Sequence, residues 1–210
     1  MTSPHLPARR GRPPKVPREH ADTREALLQR GMEVLTEQGF GATGLDAVLK
    51  HVGVPKGSFY HYFASKEAFG LAVLARYATY FARKLDHCLL DEQHPPLDRL
   101  CLFVEQAKLS MARYQFSRGC LVGNLGQEVA TLPEPFRAAL EAALLDWQRR
   151  VATCLTEAVQ AGQLRADTDC DMQAQYFWIG WEGAVLRARL VKGSHPLDVF
   201  FKGFFVGLAR

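Results

Sequence analysis

Glycine and proline punctuate residues 39–66 so closely that only very short helices fit between them. Gln38-Gly39-Phe40-Gly41 closes one helical pattern, and Gly53-Val54-Pro55 closes a second that starts at Thr43-Gly44-Leu45-Asp46. Thr43 as N-cap with Asp46 three residues on matches capping-box spacing. Pro55 suits the first turn of a third helix, where its missing N–H is no loss, and that helix is expected to reach Tyr62 or Phe63. A longer pattern precedes the pair from Asp22, with Ala26, Leu27, Gly31, Val34 and Leu35 at three- and four-residue steps. Two short helices joined by a tight turn and packed on a third form the unit that presents its last helix to a DNA major groove.

The remainder reads as helices throughout. Ser65 is a plausible N-cap for a helix to about residue 90, stopped before His94-Pro95-Pro96. Further helices are expected at about 97–114, 121–130, 134–161, 169–192 and 196–209, with breaks at Gly119, Pro133, Gly162, Gly193 and Pro196. No strand alternation and no internal repeat occurs, so the fold class is all-α: a three-helix head and a larger helical body. The division expected is a basic arm over 1–21, the head over 22–66 and the body over 67–210.

Charge supports contact with a polyanion at two places. Residues 1–18 carry five basic groups (Arg9, Arg10, Arg12, Lys15, Arg18) and no acid, so the formal charge of +4 is concentrated in a proline-rich arm and the rest is near neutral. From Ala47 to Lys66 there are three lysines, two histidines and again no acid. Phe59 and Phe63, four apart, are expected to face inward, leaving Lys56, Tyr60 and His61 on other faces. Gly57 and Ser58 are small enough for close approach to the groove, Lys56 can meet a base edge or a phosphate, and Tyr60 and His61 can donate to phosphate oxygens.

Other classes find little support. The five cysteines are odd in number and lack any C-x-x-C pair, which signals neither a disulfide framework nor a zinc ribbon. His87, Cys88 and His94 lie close in sequence at no recognised ligand spacing, so no metal is expected. Neither G-x-S-x-G, a P-loop nor H-E-x-x-H appears, so an enzyme is a distant alternative resting on one cysteine, and no cofactor is called for. The absence of an 18-residue apolar run and of an apolar N-terminal leader points to a cytoplasmic protein with no membrane contact.

The run Gly53-Val54-Pro55-Lys56-Gly57-Ser58-Phe59-Tyr60-His61-Tyr62-Phe63-Ala64-Ser65-Lys66-Glu67 resembles the signature of TetR-family transcriptional regulators, and Gly39-Phe40 through Thr43 resembles the segment before it. The resemblance implies that Thr43, Tyr60, His61 and Lys66 bind operator phosphates while Lys56, Gly57 and Ser58 sit over bases. Gly44 stands where the family often has Ser or Thr, which removes a hydroxyl contact. Arg10-Gly11-Arg12-Pro13 is similar to the core of an AT-hook, which places Arg10 and Arg12 in a narrow minor groove.

In the body, Arg118-Gly119-Cys120-Leu121-Val122-Gly123-Asn124 and Phe177-Trp178-Ile179-Gly180-Trp181-Glu182-Gly183-Ala184 resemble a TetR subgroup of acrylate- or electrophile-responsive repressors. Cys120 sits two residues after Arg118 and just before a helix start, both of which favour thiolate, so a lowered pKa is expected. The implied effectors are small unsaturated acids, aldehydes or oxidants. Tyr114, Trp178 and Trp181 are candidate pocket walls, with Asn124, Glu182 and Arg187 as polar groups. Open alternatives are a non-reactive apolar effector with a structural Cys120, and activation rather than repression. The last two helices carry Phe177, Trp178, Trp181, Phe200, Phe201, Phe204 and Phe205, more aromatics than a monomer's surface should show, and the family pairs these helices into a homodimer.

Deleting residues 1–18 is expected to weaken duplex binding and to lower the slope of log affinity against log salt by up to about four, for five lost phosphate contacts. Titrations of both forms across a salt series check this; equal affinities throughout would contradict it.

Overall fold

The computed structural model describes residues 20–208. Within them the chain forms nine helices and no strand: α1 (His20–Gln38), α2 (Leu45–Val52), α3 (Lys56–Phe59), α4 (Lys66–Leu89), α5 (Pro96–Arg113), α6 (Leu121–Gln127), α7 (Glu134–Gln160), α8 (Cys170–Val191) and α9 (His195–Leu208). The expected boundaries hold within one to three residues, except that α3 is a single turn. After Phe59 the backbone continues in i→i+3 bonds from His61 to Ser58 and from Tyr62 to Phe59, which tighten the chain out of α geometry.

Local chemistry explains most ends. Ser65 caps α4 by accepting from the Ala68 N–H at 3.0 Å, and Asp169 caps α8 through the Met172 N–H at 2.9 Å. Gly53 ends α2 in the left-handed region at φ 76°, its N–H bonded to the Leu49 carbonyl. The capping box expected at Thr43 does not form. Gly44 occupies the N-cap of α2, and the buried Thr43 hydroxyl instead donates to the Gly39 carbonyl at 2.5 Å.

Leu27, Val34, Leu35, Val48, Phe59, Phe63 and Phe69 fill the core between α1, α2, α3 and the start of α4. At Gly31, α1 crosses α4 so closely that an added Cβ would fall 2.6 Å from both Phe69 and Val73 side chains. In the body, α4, α7 and α8 pack most extensively, around Trp147, Phe81 and Trp178, with ring centroids 4.3 Å apart for Phe81–Trp147 and 5.4 Å for Trp147–Trp178. No helix among the described residues is long and apolar enough to cross a membrane.

Most of the C-terminal aromatics pack inside the chain, while Phe201 and Phe205 stay partly exposed. Phe177, Trp178, Trp181 and Phe204 are buried within the single chain, and Phe200 covers Gly180, so these residues build the monomer's own α8–α9 core. The face that α8 leaves bare is mainly aliphatic: Met172, Ile179 and Leu190, with one aromatic, Tyr176, recur at helical spacing around the open Gly183, and Val199 and Val206 continue the face on α9.

Candidate functional site

Two surfaces carry the sequence-predicted residues. On the head, Lys50, His51, Lys56, Gly57, Tyr60 and His61 are exposed on α2, α3 and the turn that follows, and Ser58 is half-buried beside them. Open space surrounds the Cβ position of Gly57. Lys56 pairs with Asp46 at 3.3 Å across the α2–α3 turn, an exposed pair that holds it only weakly. Two expected phosphate contacts are not presented in the same way. Thr43 is buried and its hydroxyl already engaged, so it positions the α1–α2 connection. Lys66 donates to the Phe40 carbonyl at 2.9 Å and lies over the Phe40 ring, which leaves two of its three N–H groups for other partners. Arg10 and Arg12 lie outside the described residues.

In the body, a cavity of about 480 Å³ opens between α1, α4, α5, the segment 114–120 and α8. Its apolar wall is Tyr77, Phe81, Phe103, Met111, Trp181 and Val185, and its charged lining is Arg76, Arg83, Lys84, Arg118 and Glu33. Of the expected sensing residues, Tyr114, Cys120 and Trp181 converge on this space. Others are elsewhere. Trp178 packs behind the wall against Trp147, and Arg187 is exposed on the surface, because one helical face of α8 cannot turn positions 178, 181 and 187 toward one cavity. Asn124 is structural: its Nδ2 donates to the Thr36 carbonyl at 2.6 Å and its Oδ1 accepts from Arg189 at 2.6 Å.

Cys120 is the N-cap residue of α6, as the sequence suggested, but its thiol is pushed well up rather than down. Burial is the largest cause and the charge of Glu182 the next. Arg118 does not offset this, because its guanidinium is turned to α1, where Nε donates to Glu37 at 2.7 Å. The thiol shares hydrogen bonds with Glu182 and Tyr77. Glu182 is itself pushed up to about 7 by burial, and its Oε1 is closed to solvent with no hydrogen-bond partner. Gly123 makes room for it, since a Cβ there would sit 1.9 Å from Glu182 Oε2 and 3.8 Å from the Cys120 Cβ.

The contacts joining head to body escaped the sequence reading. The Glu128 carboxylate accepts from the Phe40 and Gly41 N–H groups at 3.1 and 2.7 Å, and Gly39, at φ 82°, leaves the space it occupies. Arg189 reaches the Glu37 carbonyl at 3.4 Å. The sequence trace of these contacts is the glycine at positions 39 and 119, which yield volume to Glu128 and Arg189.

A helix-turn-helix head joined to a helical body that holds a partly open cavity agrees with comparison to known proteins. Residues 27–73 match the family described as bacterial regulatory proteins, tetR family, and residues 96–204 match the tetracyclin repressor-like C-terminal domain. The chain belongs to the TetR family of transcriptional regulators. Within that family it is 51% identical to the transcriptional regulator AcuR of Cereibacter sphaeroides, over 97% of this chain and 93% of AcuR. It is 36% identical to the HTH-type transcriptional repressor NemR of Escherichia coli, over 86% and 90% of the two chains. The crystal structure of regulatory protein TetR from Rhodobacter sphaeroides superposes with a TM-score of 0.84 at 53% identity, covering 87% of this chain and 96% of that one. This TetR-family chain is therefore a regulator and not an enzyme.

The buried Glu182 yields a pH prediction. Its pKa of about 7 in the fold lies above the unfolded value, so its contribution is fully present below about pH 4.5 and is lost as pH rises through 7. Glu182→Gln cannot ionise. The variant should gain about 2–3 kcal/mol in unfolding free energy on the parent between pH 5 and pH 8. Urea melts at both pH values measure this, and parallel pH dependences would refute it.

Proposed function

We propose that the protein is a homodimeric, DNA-binding repressor acting in the cytoplasm, released from its operator by a small electrophile, an unsaturated carboxylate or aldehyde, or an oxidant sensed beside Cys120. The observation that carries this reading is the position of Cys120. It stands in the wall of the cavity at the start of α6, and the following turns of α6 bear Asn124 and lead to Glu128, both bonded to the end of α1. Chemistry or occupancy at the thiol thus acts on an element that holds the head.

In this reading the arm over 1–21 and the head over 22–66 bind duplex operator DNA. Arg10, Arg12, Lys56, Gly57, Ser58, Tyr60 and His61 make contacts, and Lys66 supports the loop beneath them. The body over 67–210 binds effector and pairs with a second copy through the bare aliphatic face of α8 and α9. Effector binding favours a head spacing that no longer fits two half-sites; only a ligand with different affinities for the two spacings can do this. Sedimentation at micromolar concentration is expected to give twice the chain mass, and a monomer would contradict the pairing.

A second reading is favoured by the raised pKa of the buried thiol: Cys120 is structural, and a non-reactive ligand fills the cavity. Release of operator DNA by acrylate, N-ethylmaleimide and hypochlorite, compared in wild type and Cys120→Ser, separates the two. Loss of every response in the variant is the outcome expected of a thiol sensor. Unaltered release by acrylate in the variant would exclude thiol chemistry for that effector.

A further inference from the structure

The cavity's positive lining is also the set of ties that holds α1. Arg118 Nε donates to Glu37 at 2.7 Å, and a second guanidinium nitrogen lies 3.9 Å from Glu33. Arg76 pairs with Glu25 at 2.5 Å and donates to Gln29 at 3.1 Å. Glu25, Gln29, Glu33 and Glu37 follow one another at four-residue steps along α1, with Gln29 and Glu33 in the cavity wall and Glu25 and Glu37 at either end outside it. Arg30 holds Glu33 from within α1 at 2.7 Å, whereas Arg118 and Arg76 come from the body and line the cavity, with side chains 22% and 32% exposed. Counting Arg83 and Lys84, four cations line the space against one acid, Glu33.

A carboxylate in this space meets the same planar forks that α1 now occupies. Arg–carboxylate pairing is geometrically specific, and each fork that turns to a ligand leaves an acceptor on α1. Building on the effector reading above, we propose that the cavity takes a small amphipathic carboxylate, and that Arg118 and Arg76 exchange the acidic row of α1 for it, loosening the first helix of the head from the body. The aromatic wall of Phe81, Phe103 and Trp181 receives the apolar end. The ligand is recognised by its charge, whether or not it then reacts with Cys120.

Linkage makes the exchange measurable from either side, since whatever α1 gains from the arginines the ligand must displace. Glu37 does not line the cavity, so Glu37→Gln removes a competitor without altering the wall. Calorimetry on the full-length protein would use acrylate, propionate as its unreactive saturated form and propionamide as a neutral isostere. Glu37→Gln is expected to bind both acids about tenfold more tightly than wild type. Its weak affinity for the amide should stay the same. Glu25→Gln, which frees Arg76 on an exposed part of α1, should act in the same direction, and Arg118→Gln should lose most of the acid binding. Equal acid affinity in wild type and Glu37→Gln, amide binding as strong as acid binding, or no acid binding by any form each overturns the proposal. DNA release by N-ethylmaleimide in that last case would leave the thiol-sensing reading standing.

Discussion

The docking of the last turn of α1 onto α6 is the contact on which the rest of this molecule depends. A helix ends with carbonyl groups that have no partner within it, and the turn that follows exposes free N–H groups. Here the body supplies both kinds of partner. Asn124 and Arg189 meet the Thr36 and Glu37 carbonyls, and Glu128 accepts from the Phe40 and Gly41 amides. The positive Arg189 guanidinium also complements the negative end of the α1 dipole. Charge-assisted hydrogen bonds are directional, so these few contacts fix the orientation of the head where apolar packing would only hold it near.

That arrangement accounts for the odd composition of residues 118–128. Gly119 precedes a short helix that holds Gly123 and Gly126 and is poor by propensity. At two of these positions the lack of a side chain is what the fold requires, because Arg189 passes Gly119 and Glu182 lies against Gly123. The same segment turns back after α5 through Gln115 and Phe116, both in the left-handed region at φ 51° and 56° though neither is glycine. Residues other than glycine in that region carry backbone strain, which the surrounding packing must hold in place. Cys120, Glu182 and Tyr77 lie at its centre, sharing hydrogen bonds in a space that burial keeps from fully solvating any of their charges.

Helix content and the head were legible in the sequence because both depend on short-range rules. Glycine at positive φ, proline at helix starts and apolar spacing act within a few residues, which is why Gly53, Ser65 and the limits of α4 through α9 could be placed. The Thr43 hydroxyl was misread because a serine or threonine before a helix can bond forward to an amide or back to a carbonyl, and only the surrounding packing selects the second. Periodicity could put Cys120, Tyr114 and Trp181 in the body but could not tell which face of α8 meets the cavity, so Trp178 and Arg187 were grouped wrongly. The α1-side partners of Arg118, Asn124 and Glu128 lie more than 80 residues away in sequence, and a single chain without its fold gives no signal for polar contacts at that range.

One dimension of the body has mechanical meaning. α4 is 24 residues long, about 36 Å, and runs from directly beneath the DNA-facing turn to the far wall of the body, lining the cavity with residues 76–84 along its second half. A rigid rod of that length converts angle into displacement. A tilt of about five degrees about its inner end carries the outer end through about 3 Å, roughly the rise of one base pair. Small changes of angle at the cavity end of α4 are thus geometrically enlarged at the end that carries the head.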